Sequence, residues 1–167
     1  FTEAGNFSSL SVVLTMPIAQ VETLLRNSAL ENIILPKVDY LDFHTCTFIS
    51  EKHSIGDVIS KNESFPWICN NSKKGLRNTV DAFTANVNKN ITQRLKNLSS
   101  EQKLEIVEGL LNSSGFKNVK GLNVHYWRYA FADDQNNPDY YFDKRTGLGV
   151  CGDSFSVGRF DGAVKSA

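Results

Sequence analysis

The chain has 167 residues, of which 41% are hydrophobic and 11% aromatic, and its 18 basic residues balance 18 acidic ones. Such a length and apolar content suffice for one globular domain with a core. The balanced charge, with no Lys/Arg run longer than a pair, disfavours nucleic acid and anionic membrane surfaces as partners. The apolar stretches are shorter than the roughly 20 residues that span a bilayer, so we expect no membrane partner.

The first elements predicted along the chain are a strand and a helix. Residues 10–16, "LSVVLTM", are rich in β-branched side chains and predict a strand, and Pro17 follows where it suits the first turn of a helix. We therefore interpret residues 1–35 as a strand-to-helix crossover. The predicted helix has one apolar face, formed by Ile18, Val21, Leu24 and Leu25.

Three further segments predict strands of an antiparallel sheet. Residues 38–50, "VDYLDFHTCTFIS", alternate between two faces in the way of a largely buried strand. A second strand is predicted around "FPWICNN", residues 65–71, and a third around "TVDAFTANV", residues 79–87. Because these strands follow one another through loops, we expect them to pair antiparallel.

A helix and a long aromatic strand come next. Ser99 or Ser100 can cap a helix over "SEQKLEIVEGLLNSSG", with Gly115 as its stop. Its apolar stripe contains Leu104, Val107, Leu110 and Leu111. Residues 119–132, "VKGLNVHYWRYAFA", then predict the aromatic strand. We expect a sheet domain over residues 36–130.

The C-terminal segment, residues 131–167, begins with a polar turn and ends in "GRFDGAVKSA", which can form a helix. With this segment the chain is predicted to form a single compact unit over residues 1–167. The open ends of the pattern suggest truncation at both termini.

Three glycines in "TGLGVCGDSF" match the pattern G-x-G-x-x-G at Gly147, Gly149 and Gly152. In a dinucleotide-binding turn the glycines open a helix directly, and an acidic residue follows about 20 positions later. Neither condition is met, since "DSFSVG" does not begin an amphipathic helix and the chain ends too soon. The spacing is therefore interpreted as accidental. A helix N-terminus after Asp153 could present free N–H groups to a phosphate or to an electron-rich ring edge. On physical grounds alone the favoured alternative is a solvated Asp153 in an ordinary strand-loop-helix connection.

Four motifs, in order, resemble those of the renalase-like FAD-dependent oxidoreductases, relatives of the amine oxidases. "GLGVCGDSFSVGRFDGAVKSA", residues 147–167, resembles the C-terminal flavin motif of that family. "VHYWRYAFA" is similar to its Trp-Arg-Tyr strand, and "PWICNNSKKG" to a strand and turn. "SVVLTMPIAQVETLL" resembles the crossover into the substrate domain. The resemblance covers the C-terminal half or so of such an enzyme, without the N-terminal dinucleotide turn.

The resemblance implies a fold, a cofactor and a reaction. The fold is α+β: an antiparallel substrate-domain sheet with packed helices, plus terminal segments of an FAD-binding α/β domain. The reaction is hydride transfer from a small-molecule substrate, a reduced NAD(P), one of its isomers or an amine, to FAD, with O2 reoxidising the flavin. No acid-base residue is assigned by the resemblance, and no metal site is predicted. Without the N-terminal turn, the chain by itself is expected to bind FAD poorly.

The resemblance also implies particular site residues. Gly152 and Asp153 would meet the ribityl or pyrophosphate region of FAD, and the backbone around Gly158, Arg159 and Phe160 would face its isoalloxazine ring. The substrate pocket would contain Trp127, Tyr129 and Asn86. Relatives often have a His near the strand before the long helix, where this chain has "DAFTANVNKN" with Thr84 and Asn86 as polar substitutes. Core packing remains an alternative for each of the two aromatic residues.

A rival hypothesis is a noncatalytic ligand-binding or interaction module that keeps the aromatic sheet without a flavin. Another pattern, His44-Thr45-Cys46, places an imidazole and a thiol on one face of a strand. A buried packing role is favoured there, since no third metal ligand lies nearby in the sequence.

The cysteine content bears on the compartment. Cys46, Cys69 and Cys151 are odd in number and widely spaced, which favours free thiols and a cytoplasmic location. Against this stand several N-x-S/T sequons, at Asn6, Asn62, Asn70, Asn90, Asn97 and Asn112. Such triplets also arise by chance in an Asn- and Ser-rich chain, so we expect a cytoplasmic protein.

Overall fold

The computed structural model describes residues 8–51, 58–59, 62–74, 80–133, 137–156 and 159–167. Its strands are β1 (Val12–Leu14), β2 (Tyr40–Ser50), β3 (Val58–Ile59), β4 (Trp67–Asn70), β5 (Asp81–Asn86), β6 (Lys120–Ala132), β7 (Tyr141–Asp143) and β8 (Leu148–Val150). Its helices are α1 (Ile18–Arg26), α2 (Lys89–Leu95), α3 (Ser100–Ser113) and α4 (Arg159–Ser166), with a 3-10 turn over Asn71–Lys74. Helices and an antiparallel sheet occur together, so the predicted α+β class is confirmed.

The chain groups into two compact units, one formed by Phe1–Leu41 with Tyr129–Ala167 and the other by Asp42–Arg128. The sequence-based division placed its boundaries after residues 35 and 130 within a single compact unit. The grouping differs because the first and last segments of the chain pair with each other, a contact that sequence order conceals. No helix within the described ranges combines the length and apolarity needed to cross a membrane.

The unit 42–128 contains most of a five-stranded sheet of order β3-β4-β5-β2-β6. The pairs β2–β5, β4–β5 and β3–β4 are antiparallel. This confirms the antiparallel pairing that was predicted for β2, β4 and β5. One face of the sheet packs against α2 and α3 in a core that contains Cys46, Phe48, Phe65, Ile68, Phe83, Ala85, Val87, Ile91, Leu95, Val107, Leu111 and Phe116. Alternate side chains on the opposite face of β2 keep partial exposure.

Helix α3 begins and ends where its sequence predicts. Ser99 is its N-cap: the Ser99 Oγ accepts from the Gln102 N–H, and the Ser99 N–H donates to Gln102 Oε1, which completes a capping box. After the helix Gly115 has φ +93°, a conformation that favours glycine. Helix α2 was not predicted, because it is short and lies in the polar run "NVNKN", where the Asn88 side chain caps Ile91 N–H.

The unit formed by the two chain ends contains a three-stranded sheet of order β1-β8-β7. Strand β1 is parallel to β8, and β7 is antiparallel to β8. Helix α1 follows β1 directly after Pro17, as predicted, although the strand covers less of residues 10–16 than expected. The core of this unit contains Ile18, Val21, Leu25, Leu35, Leu148, Val150 and Phe155.

Candidate functional site

The carboxyl ends of β1 and β8 lie side by side, because the two strands are parallel neighbours. Strand β1 leads through Pro17 into α1, and β8 leads through Gly152 and a short loop towards α4. In sheets with parallel strands, ligands commonly bind just beyond the carboxyl ends, where helix N-termini offer free N–H groups. This edge of the sheet is the first candidate site.

The glycines that match the dinucleotide pattern have backbone roles. Gly147 has φ +68°, and a Cβ there would lie 2.4 Å from the carbonyl oxygen of Leu10. Gly152 has φ +139°, and a Cβ would lie 3.3 Å from the carbonyl oxygen of Thr15. The close approach of the segment around β1 therefore requires these glycines, and their spacing needs no pyrophosphate to explain it.

Asp153 follows β8 and is half-buried. The Ser154 Oγ–H donates to Asp153 Oδ1 at 3.5 Å, and the buried Ser154 Oγ lies 2.6 Å from Tyr40 Oη. Tyr40 Oη also accepts the N–H of Ile18, the first residue of α1, at 2.7 Å. The carboxylate is therefore connected to the N-terminus of the neighbouring helix through two hydroxyl groups.

Burial raises the pKa of Tyr40, and the negative charge of Asp153 raises it further, whereas the hydrogen bonds that Tyr40 makes with Ser154 and with the Ile18 N–H act in the opposite direction. Tyr40 therefore keeps its hydroxyl proton at neutral pH and can donate it. The ring of Tyr129 packs edge-on against Tyr40, with ring centroids 5.1 Å apart. The structure thus brings Tyr129, predicted for a substrate pocket, next to the tyrosine that is connected to Asp153.

The remaining residues predicted for the flavin lie at or before α4. Gly158 lies outside the described residues. Arg159 is the first residue of α4, and the Phe160 side chain is 81% exposed. Gly152 N–H donates to Ser166 Oγ at 3.0 Å, which ties the end of β8 to the last turn of α4.

The other predicted pocket residues belong to the unit 42–128. Asn86 pairs across the sheet with Thr45 on one side and Trp67 on the other, and the Thr45 Oγ–H donates to Asn86 Oδ1 at 3.0 Å. Phe83 and Ala85 point into the core, so Asn86 points to the opposite face. This places an amide between a hydroxyl and an indole ring.

Trp127 lies on the same face of the sheet as Asn86. Its strand neighbours Val124 and Tyr126 face the core side, where Val124 packs against the core and Tyr126 packs on His44. Trp127 is 50% exposed and contacts the ring of His125, with centroids 4.5 Å apart. We name the face formed by Thr45, Trp67, Asn86, His125 and Trp127 the aromatic face.

The pair His44 and Cys46 shares the core side of β2, as predicted, and both side chains are buried. Burial raises the pKa of the Cys46 thiol to about 12 and lowers the pKa of His44 to about 4. Both groups are neutral at pH 7, which fits the packing role that was favoured. The described residues contain no group of three or more side chains that could hold a metal ion.

Sequence reasoning missed Tyr40, Ser154 and Trp67 as site residues. Tyr40 and Ser154 lie 114 positions apart in the sequence, at the start of β2 and in the loop after β8, and their hydroxyl groups meet only in the folded chain. Trp67 belongs to the motif "PWICNNSKKG", but its place beside Asn86 depends on the register between β4 and β5. The signals for these contacts are long-range, and no local spacing carries them.

The chain matches no protein-family model and no curated protein.

Proposed function

We propose that the chain is part of an FAD-dependent oxidoreductase of the renalase-like kind. The observation that supports this most is the position of Asp153 just after the carboxyl end of β8, next to the parallel strand β1 and connected through the Ser154 and Tyr40 hydroxyls to the N-terminus of α1. A half-exposed carboxylate in this place can accept hydrogen bonds from the hydroxyl groups of a dinucleotide cofactor. The residues present therefore fit the end of a flavin cofactor that carries hydroxyl groups.

FAD, when bound, supplies the redox chemistry: it takes up hydride from the substrate and is reoxidised by O2. The residues of this chain would bind and orient the cofactor and the substrate. Asp153, with the backbone at Gly152, would hold the cofactor, and Arg159 and Phe160 at the start of α4 would supply backbone contacts. The aromatic face would take the planar ring of a small-molecule substrate, a reduced NAD(P) or one of its isomers, with Asn86 and Trp127 in contact.

A cytoplasmic location belongs to the same proposal. It is supported by Cys46, Cys69 and Cys151, which are free thiols in the structure, as expected in a reducing compartment.

The test is a titration of the 167-residue chain with FAD, followed by flavin fluorescence. We expect weak but saturable binding, weakened by Asp153→Asn by about 10- to 100-fold, because the substitution removes a charged hydrogen-bond acceptor. Asp161→Asn, which changes an exposed aspartate on α4, is the matched control and should bind as the wild type does. Equal binding by the Asp153 variant and the control would contradict the assignment of Asp153.

A second candidate function, a noncatalytic binding module, is favoured by the partial exposure of the aromatic face. The two are separated by mixing the FAD-saturated chain anaerobically with reduced NAD(P) and its isomers. Bleaching of the flavin bands supports the oxidoreductase. Quenching of tryptophan fluorescence by these compounds, without any flavin binding, supports the module.

A further inference from the structure

Four groups at the carboxyl ends of β1 and β8 are connected in series by hydrogen bonds, and we call them the hydrogen-bonded line. The Ile18 N–H is 2.7 Å from Tyr40 Oη, which is 2.6 Å from Ser154 Oγ, which in turn is 3.5 Å from Asp153 Oδ1. All four belong to the same compact unit. The contact between Ser154 and Asp153 is the longest of the three, so we expect ligand binding to shorten this distance more than the other two.

The chemistry of the two ends fixes the direction of the whole line. An amide N–H can only donate, so Tyr40 Oη accepts from Ile18. An ionised carboxylate can only accept, so the Ser154 hydroxyl donates to Asp153. The hydroxyl of Tyr40 must then donate to Ser154, and one arrangement of protons satisfies every group.

This direction is favourable at both ends. The Ile18 N–H belongs to the first turn of α1, where N–H groups lack partners within the helix and the helix carries partial positive charge. Asp153 places negative charge at the other end, and hydrogen bonds aligned in series polarise one another. Among the described residues, no partner is found for Asp153 Oδ2, so that oxygen is left for a ligand.

We propose that Tyr40 is a positioning residue, which holds Asp153 in its ligand-binding orientation through Ser154 and transmits the positive end of α1 to the carboxylate. Asp153 itself touches the ligand, and Tyr40 acts only through it. The inference rests on the proposed function in taking FAD as the ligand, but the hydrogen-bonded line can be tested without any ligand.

The ligand-free test is the amide resonance of Ile18 in a 15N-correlated NMR spectrum. Ser154→Ala and Asp153→Asn both weaken the line downstream of Tyr40, so both should move the Ile18 amide proton upfield, although neither residue bonds to Ile18. Asp161→Asn is the control and should leave this resonance in place. If the chemical shift of the Ile18 amide proton is the same in both downstream variants as in the wild type, the proposal is overturned.

The ligand test is a double-mutant cycle on FAD affinity. Tyr40→Phe removes one hydroxyl and should weaken binding by about 3- to 10-fold when Asp153 is present. In the Asp153→Asn background the same change should have no effect, which a purely structural role would not produce. Tyr140→Phe, at an exposed tyrosine of the same unit, is the matched control.

The outcomes separate the two proposals. Equal losses from Tyr40→Phe in both backgrounds overturn the positioning role. If the Ile18 resonance responds as expected but the chain binds no FAD, the hydrogen-bonded line is supported and the proposal that its ligand is FAD is overturned. If Tyr40→Phe does not fold, Ser154→Ala takes its place in the cycle, because it interrupts the same line with a smaller change.

Discussion

The imidazole of His44 packs on the ring of Tyr126, with centroids 4.9 Å apart, and neither His44 ring nitrogen has a hydrogen-bond partner in the part of the chain that the structure describes. Tyr126 is held in turn by Asp42, whose carboxylate accepts the Tyr126 hydroxyl at 2.5 Å and also pairs with the Lys96 ammonium. A neutral imidazole is tolerated in this place. A charged imidazole would be buried under the influence of the ammonium groups of Lys103 and Lys96, and to a smaller extent of His125, and among the described residues Asp42 alone acts in its favour.

This arrangement predicts a loss of stability in mild acid. The pKa of His44 is lowered in the folded chain from 6.5 to about 4, first by burial and next by Lys103. The stabilising effect of the neutral ring is complete above pH 6.5, and it is lost as the pH falls towards 4, because the unfolded chain takes up the proton first. Since Asp42 and Lys96 are partly exposed and solvent screens them, we expect a loss on the order of 1–2 kcal/mol.

The measurement is urea unfolding at pH 7.5 and pH 5. His44→Leu should remove the part of the difference that belongs to this residue. His125→Gln, which changes an exposed histidine on β6 that is the smallest of the influences on the His44 pKa, is the control and should keep most of the acid-side loss. An identical pH dependence in the wild type and the His44 variant would refute the assignment.

A second prediction concerns the glycine pattern. Gly147→Ala should destabilise the protein by about 2–3 kcal/mol, because it places a side chain at φ +68° and 2.4 Å from the Leu10 carbonyl oxygen. Gly109→Ala is the matched control: this glycine lies inside α3 with nothing within 4 Å of the added Cβ, so it should stabilise by up to about 1 kcal/mol. Thermal unfolding of both variants decides, and a neutral Gly147→Ala would show that the segment around β1 relaxes freely.

Ser99→Ala should cost about 1 kcal/mol through the loss of the capping box of α3. The expected signature is faster hydrogen exchange of the Gln102 amide, which loses its acceptor. Ser100→Ala, one position later and exposed, changes no cap and should exchange as the wild type does. Unchanged protection at Gln102 would mean that the cap contributes little to the helix end.

Trp127 offers a test that separates a binding role from a packing role. Because its side chain is half exposed, Trp127→Ala should change the free energy of unfolding by no more than about 0.5–1 kcal/mol. If the aromatic face binds planar compounds, the same substitution should weaken binding of reduced NAD(P) by about 10-fold or more. A large loss of stability with unchanged binding would assign Trp127 to the core.

Local sequence patterns were sufficient to predict some helices and strands, but they were insufficient to predict the contacts of the candidate site around Asp153. Helix α3 follows from its apolar stripe, its serine cap and Gly115, all of which act within a few residues. The alternation of β2 predicts that His44, Cys46 and Phe48 are buried together. The parallel pairing of β1 with β8 has no local signal, because it depends on the packing of two distant segments. The contact between Tyr40 and Ser154 joins residues 114 positions apart, so it too has no local signal.

The pairing of β1 with β8 also has a consequence for synthesis. Strand β1 leaves the ribosome before residues 42–128 are made, and its partner β8 leaves it after them. Throughout this interval "LSVVLTM", which contains no charged residue, lacks the strand with which it pairs in the folded chain. The contiguous unit can fold while it emerges, whereas the β1–β8 pair must wait until β8 has been made. Chaperone dependence should therefore concentrate around residues 10–16.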